Sequence, residues 1–178
     1  MVDTTVVAGE RVSLRPVERD DAEFLQLSMT KPEIRIPLGS NDPMNSHQAT
    51  KFIENVIEDG DGVSFIVEAD DERIGIVATK STEPARPELV YWFVPEYHGQ
   101  GYGSEAVGCL VEYLFRTVEC RGLYARLFDF NEGSRGVLEK LGFTHEGTFR
   151  EARFIDGEYV DTLHFGLLRS EWDAMQSE

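Results

Sequence analysis

The 178-residue chain reads as an α/β (mixed α+β) fold with a largely antiparallel sheet. Two observations predict it. Segments whose apolar residues alternate, as strands require, are interleaved with segments whose apolar residues recur every three to four positions, as amphipathic helices require. Several strands also follow one another through short turns, a connection open to antiparallel but not to parallel pairs.

"RVSLRPV" (11–17) alternates and closes on a proline, which marks a first strand. "ERDDAEFLQLSMT" (18–30) has acids in its first turn and Ala22, Leu25 and Met29 on one face, the signature of a helix. "NSHQATKFIENVIEDG" (45–60) opens on a capping residue, Asn45 or Ser46, and sets Phe52, Ile53, Val56 and Ile57 at helical spacing. "GVSFIVEA" (62–69) and "RIGIVATK" (73–80) form a hairpin through "DDE". "ELVYWFV" (88–94) is a strand stopped by Pro95. "SEAVGCLVEYLFRTV" (104–118) carries the apolar stripe Ala106, Val107, Leu110, Val111, Leu114 and Phe115. "LYARLFDF" (123–130) is a strand, and "NEGSRGVLEKL" (131–141) a short helix stopped by Gly142. "FTHEGTFREARFI" (143–155) and "YVDTLHFGLL" (159–168) pair around "DGE", and "RSEWDAM" (169–175) closes the chain with a turn of helix. The order is β-α-α-β-β-β-α-β-α-β-β. No repeat, linker or low-complexity stretch divides it, so residues 1–178 are expected to form one domain.

The apolar fraction of 41% is that of an ordinary globular protein. No apolar run approaches the roughly 18–20 residues needed to span a bilayer. The N-terminal stretch lacks the basic start of a signal peptide, so a cytoplasmic protein with no membrane partner is expected. Cys109 and Cys120 make no metal or redox spacing and read as unpaired thiols, with no metal site. The chain has 33 acidic against 17 basic residues (4 Lys and 13 Arg) and a net charge of -16. That balance disfavours nucleic acid as a partner, because phosphate binding needs a basic surface. It could steer cationic substrates, or suit a cytoplasm of very high salt, where self-repulsion is screened. The acids are spread along the chain, which fits the second reading better.

"YHGQGYGSEAV" (97–107) sets glycines at 99, 101 and 103 between a strand and a helix N-terminus. The first amides of a helix lack intrahelical partners and favour negative charge, and glycines let those amides approach an anion. A dinucleotide fingerprint would place its third glycine one residue later and an acid about 20 residues on, and Asp129 lies too far. A Walker A loop would need a lysine.

The loop His98-Gly99-Gln100-Gly101-Tyr102-Gly103 resembles the pyrophosphate loop of the GNAT superfamily of N-acetyltransferases, with His98 where that pattern has Gln or Arg. "YWFVPEYHGQGYGSEA", "NEGSRGVLEKLGF", "HEGTFRE" and "DGEYVDTLHFGLLRSEW" extend the likeness, over nearly the whole chain, to the RimJ/RimL-like branch. The resemblance implies the GNAT acyl-CoA N-acyltransferase fold, with a splayed parallel pair between the fourth and fifth strands. It implies acetyl-CoA as cosubstrate, held by the loop from His98 to Ser104 and by Asn131 and Ser134. Asn131, a good helix cap in its own right, would then also meet the pantetheine arm. Ser134 would lie near the sulfur as proton donor, because the Tyr that many members place one turn further on is Leu138 here. Backbone N–H groups of Phe93 or Val94 would polarise the thioester carbonyl.

The branch's Glu base is replaced by Arg153, which leaves Glu88 acting through water as the expected base, with Glu151 and Asp161 as further options. Tyr91, Trp92 and Phe93 are read as packing rather than as a cage for a cation. The expected activity is acetyl transfer to a primary amine, a protein N-terminal α-amino group first, by direct attack in a ternary complex. Alternatives are a small amine (polyamine or antibiotic), or a non-catalytic acyl-CoA-binding module. Family habit suggests a homodimer.

Overall fold

In a computed structural model covering residues 3–83 and 85–178, the described residues form eight strands and six α-helices. The first sheet is a five-stranded antiparallel meander: β1 (Val7–Ala8), β2 (Ser13–Pro16), β3 (Ser64–Ala69), β4 (Glu72–Thr79) and β5 (Leu89–Phe93), in that spatial order. The second holds β6 (Gly122–Phe128), β7 (Thr144–Ile155) and β8 (Glu158–Leu168), with β8 in the middle. β1, too short to show a period, adds one strand to the expected order. The expected splayed pair is therefore β5 and β6. They touch at a parallel bridge between Glu88 and Tyr124, where Tyr124 N–H donates to Pro87 O at 3.0 Å, and they belong to separate sheets beyond it.

The hairpin turns follow from residue chemistry. Asp70 and Asp71 sit at φ 51° and 64°, and Asp156 and Gly157 at 49° and 88°. Two consecutive left-handed residues make the two-residue turn that matches strand twist, and Asp and Gly tolerate that region best. Glu72 is thus the first residue of β4 and not part of the turn.

The first expected helix is a short α1 (Ala22–Gln26) flanked by 3₁₀ turns at Arg19–Asp21 and Leu27–Met29. Ser28 and Thr30 hydroxyls donate back to the Leu25 and Gln26 carbonyls at 2.8 Å, competing with regular helix bonds at its end. α2 (Pro32–Leu38) was not expected. Its two prolines read as loop, yet Pro32 occupies the first turn, where a missing N–H costs nothing. α3 (Ser46–Phe52) is capped by Asn45, whose side chain accepts Gln48 N–H. A wider π turn over Ile53–Glu58 follows it, which buries Ile53 but leaves Phe52 and Val56 exposed.

α4 (Tyr102–Thr117) buries its whole expected stripe. α5 (Glu132–Lys140) adds the fully buried Leu138, and β6 and β8 add Leu123 and Leu167. α6 (Arg169–Gln176) begins with Arg169, which donates to the carbonyls of Phe115, Val118 and Cys120 and so satisfies the C-terminal end of α4.

Asp21 is 3% exposed, and its carboxylate accepts from Arg15 Nη1 (2.8 Å) and Nη2 (3.0 Å), Arg73 Nη1 (3.2 Å) and Glu18 N–H (2.8 Å). Burial alone would raise its pKa, but the Arg15 hydrogen bond and the other donors outweigh that and hold it below the ordinary value. Removing one partner strands the other charge, so Asp21→Ala should cost about 3 kcal/mol at pH 7. A depressed folded pKa gives stability that is present above the unfolded value near 4 and lost as pH falls through the folded one. The gap between wild type and Asp21→Ala in urea unfolding should therefore shrink as pH drops below about 4.

Candidate active site

The divergence of β5 from β6 opens a cleft of about 890 Å³, lined from both strands, the glycine loop, the start of α5, α2, and the outer face of the second sheet. At one end lies the glycine loop. Gly99 and Gly101 sit at φ 71° and 87°, a region that side chains resist. Gly101 is the N-cap of α4, with no side chain capping the helix. The first amides, those of Tyr102, Gly103 and Ser104, are therefore without intrahelical acceptors and able to bind an anion. Gly103 serves a different need: a Cβ there would stand 3.3 Å from the Phe93 ring.

Side chains brace this loop more than they extend from it. His98 Nε2 lies 2.8 Å from Phe93 O, and Gln100 Nε2 donates to Glu96 O at 2.8 Å. Arg11, for which the sequence offered no signal, straps the loop from outside. Its Nη1 donates to Gln100 O (2.9 Å), its Nε pairs with Glu105 Oε2 (3.1 Å), and its guanidinium lies 4.4 Å from the centre of the Tyr102 ring. Glu105 Oε1 also accepts the N–H groups of Arg11 (2.7 Å) and Val12 (3.2 Å).

Of the two backbone donors expected at the thioester, Val94 is corrected. Its N–H is already donated to Ile74 O at 2.8 Å. Lys80 N–H donates to Glu88 O at 3.1 Å, so residues 88, 90, 92 and 94 pair with β4. Leu89, Tyr91 and Phe93 turn their amides the other way, towards the gap. Phe93 remains the backbone donor facing the cleft.

At the start of α5, Asn131 Oδ1 accepts Ser134 N–H at 3.2 Å, so Asn131 caps the helix with its amide nitrogen left over. Ser134 Oγ is 2.7 Å from the Tyr91 hydroxyl. Tyr91 had been read as packing. Burial pushes its phenol well above the ordinary value, against the Ser134 hydrogen bond that lowers it, so it stays protonated. Trp92 does pack, against Phe24 at 5.1 Å between ring centres.

Glu88, expected as the base, occupies the mouth of the cleft in a different role. Its carboxylate accepts from Arg126 Nε (2.8 Å) and Nη2 (3.1 Å), from Tyr124 OH (3.1 Å) and from Lys80 Nζ (2.8 Å). Burial raises its pKa, but the Arg126 and Lys80 hydrogen bonds pull it below the ordinary carboxylate value and further from neutrality, and both oxygens are already engaged by these donors. Glu151 and Asp161 meet each other instead of the cleft. Glu151, at φ 47° in a bulge of β7, donates its N–H to Asp161 Oδ1 at 2.8 Å. The bulge brings Arg153 onto the cleft wall.

A helix N-terminus bared by glycines, an unpaired strand edge and a hydroxyl pair between them are what an acyl-CoA thioester needs. The family model described as "Acetyltransferase (GNAT) domain" matches residues 11–144. The chain belongs to the GNAT acetyltransferase family. Among its relatives, YdaF of Bacillus subtilis (strain 168) is 25% identical over 179 residues, covering 96% of this chain and 98% of its own. Among solved structures, the RimL ribosomal L7/L12 α-N-protein acetyltransferase with coenzyme A superposes with a TM-score of 0.83 at 18% identity, covering 94% of this chain and 99% of that one. Spermidine N-acetyltransferase from Vibrio cholerae, with CoA and spermine, gives 0.84 at 22% identity, covering 91% and 98%. This GNAT protein is accordingly an N-acetyltransferase with acetyl-CoA as cosubstrate.

Gly101→Val would put a β-branched residue at φ 87°, with its Cβ 2.9 Å from Arg11 Nη2. Calorimetric titration should show acetyl-CoA affinity reduced at least ~100-fold while circular dichroism stays native, the loss of oriented amides being worth about 3 kcal/mol.

Proposed function

We propose that the acceptor is the α-amino group of a protein or peptide N-terminus, with residues 1–178 acting as one domain in the cytoplasm. The charge inventory of the cleft carries this reading. Three carboxylates line it, and two are already paired: Glu88 with Lys80 and Arg126, and Glu132 with Arg135. Glu33 makes no ion pair among the described residues, and nor does Arg153, whose Nη2 only approaches Gly39 O at 3.4 Å. One open carboxylate suits a single ammonium group. An open guanidinium lining the same cleft opposes a polyamine with several charges.

The reaction follows from the groups present. The neutral amine attacks the thioester carbonyl, whose developing negative charge the Phe93 N–H stabilises. The departing thiolate takes a proton from Ser134, whose hydroxyl is bonded to that of Tyr91, and the pair regains a proton from solvent once the thiol leaves. Glu88 acts as a strut that joins the two sheets. Asn131 offers its amide nitrogen to the pantetheine arm.

Release of free CoA thiol should occur with a pool of short peptides bearing free N-termini and not with spermidine or aminoglycosides. Preference for the small amines would overturn the acceptor assignment. Tyr91→Phe and Ser134→Ala should each lower kcat about 100-fold with acetyl-CoA affinity little changed, as for a lost general acid. The double variant should be no worse than either single one, because the two hydroxyls act in series.

A further inference from the structure

With Glu88 bound into ion pairs, the base for the incoming amine has to come from elsewhere in the cleft. The outer face of β8 carries two polar atoms that are buried and without hydrogen-bond partners, Thr162 Oγ1 and His164 Nε2. Both residues line the cleft, and they stand two apart on one strand, so they share a face about 7 Å apart. Leu163, between them, points the other way into the core. An unpaired buried polar atom has lost its hydration with nothing in return, so two on one wall mark where a ligand's hydrogen-bonding groups belong.

We propose that His164 is the general base that takes the proton from the acceptor amine, with Thr162 orienting that amine. The inference rests on the N-acetyltransferase reading of the cleft and holds for any amine acceptor. As the nitrogen lone pair forms the new C–N bond to the thioester carbonyl carbon, an N–H proton passes to the unprotonated imidazole nitrogen. The C–S bonding pair leaves with sulfur, which is protonated from the Ser134–Tyr91 side; the cycle closes as His164 returns its proton to solvent and the Ser134–Tyr91 pair regains one.

The surroundings keep the imidazole unprotonated. His164 lies directly across from Arg126 on β6 and Gly147 on β7. Burial and the Arg126 charge lower its pKa, while Glu88 on the β5 side and Glu146 on β7 pull it up more weakly. Both carboxylates are themselves paired, Glu88 with Arg126 and Lys80, and Glu146 with Arg86. On the other side, the Phe149 ring lies 4.3 Å from the imidazole between centres. Phe149 is itself 62% exposed, so it covers the imidazole from the solvent side without being packed in the core.

The test uses whichever amine the wild-type enzyme acetylates, so failure of the peptide reading does not count against it. His164→Gln should lower kcat about 100-fold near neutral pH with acetyl-CoA affinity unchanged. Its kcat/KM profile should lose the lower of two inflections and keep the one where the acceptor amine loses its own proton, which is near 7.7–8.0 for an α-amino group. The deficit should therefore be fullest above the lower inflection and narrow as pH falls below it, where the wild-type imidazole is protonated. His164→Ala should regain activity with added imidazole, which a packing role would not produce. Thr162→Val should raise the amine KM and leave the profile intact. Wild-type kcat in His164→Gln, or a lower inflection that survives the substitution, would overturn the proposal.

Discussion

Everything in the site depends on two parallel strands that are joined at one end and not at the other. The join is a single backbone bridge reinforced by the Glu88 carboxylate, which accepts from Lys80 on the β4 side and from Tyr124 and Arg126 on β6. An ion cluster built on a buried carboxylate is a poor source of net stability, because desolvation offsets much of the attraction. Its value here is positional. It fixes where the two sheets touch, and so where they begin to part. An unpaired strand edge on an open surface would invite another chain. Enclosed within a cleft, the same edge of β5 turns the Phe93 amide towards the gap.

The loop and the strap follow from that geometry. β5 ends beside the N-terminus of α4, so a ligand threaded along the strand edge arrives at bare helix amides. The packing is close: a Cβ at Gly103 would stand 3.3 Å from the Phe93 ring, so a side chain there would press on it. A loop with two left-handed glycines has much conformational freedom to lose, and the protein limits it from outside. Arg11 and Glu105 tie the N-terminal segment to the first turn of α4, while His98 and Gln100 fold back onto the loop's own carbonyls. The expected binding loop is thus a backbone surface, with its side chains acting as scaffolding.

How much of this was legible in the sequence depended on the range of the signal. The α4 stripe and the two hairpins are local patterns and were legible, although the first turn was drawn one residue too long and the two-residue β1 was missed. α2 was hidden by its prolines, and the π turn after α3 has no signature in periodicity. Ser134 and the loop could be placed because they occur in contiguous motifs. The Tyr91–Ser134 contact spans 43 residues and the Arg11–Glu105 strap 94, and no pattern in either segment announces its partner. Glu88 misled for a related reason. A carboxylate beside a cleft looks like a base until the cations that hold it, on β4 and β6, are seen around it.

The same distinction separates surface charge from site charge. If a net charge of -16 existed to draw in polycations, carboxylates should converge on the cleft. They do not: the lining acids are mostly paired within the protein, and Lys80, Arg126 and Arg153 share the walls with them. The acidity is therefore a property of the outer surface, where exposed Asp and Glu interact with water and salt. A field of that kind is screened within about 8–10 Å at ordinary ionic strength and within about 3 Å at 1 M. Recognition in the cleft has to rest on contacts shorter than that: one open carboxylate, one open guanidinium and the polar atoms of β8.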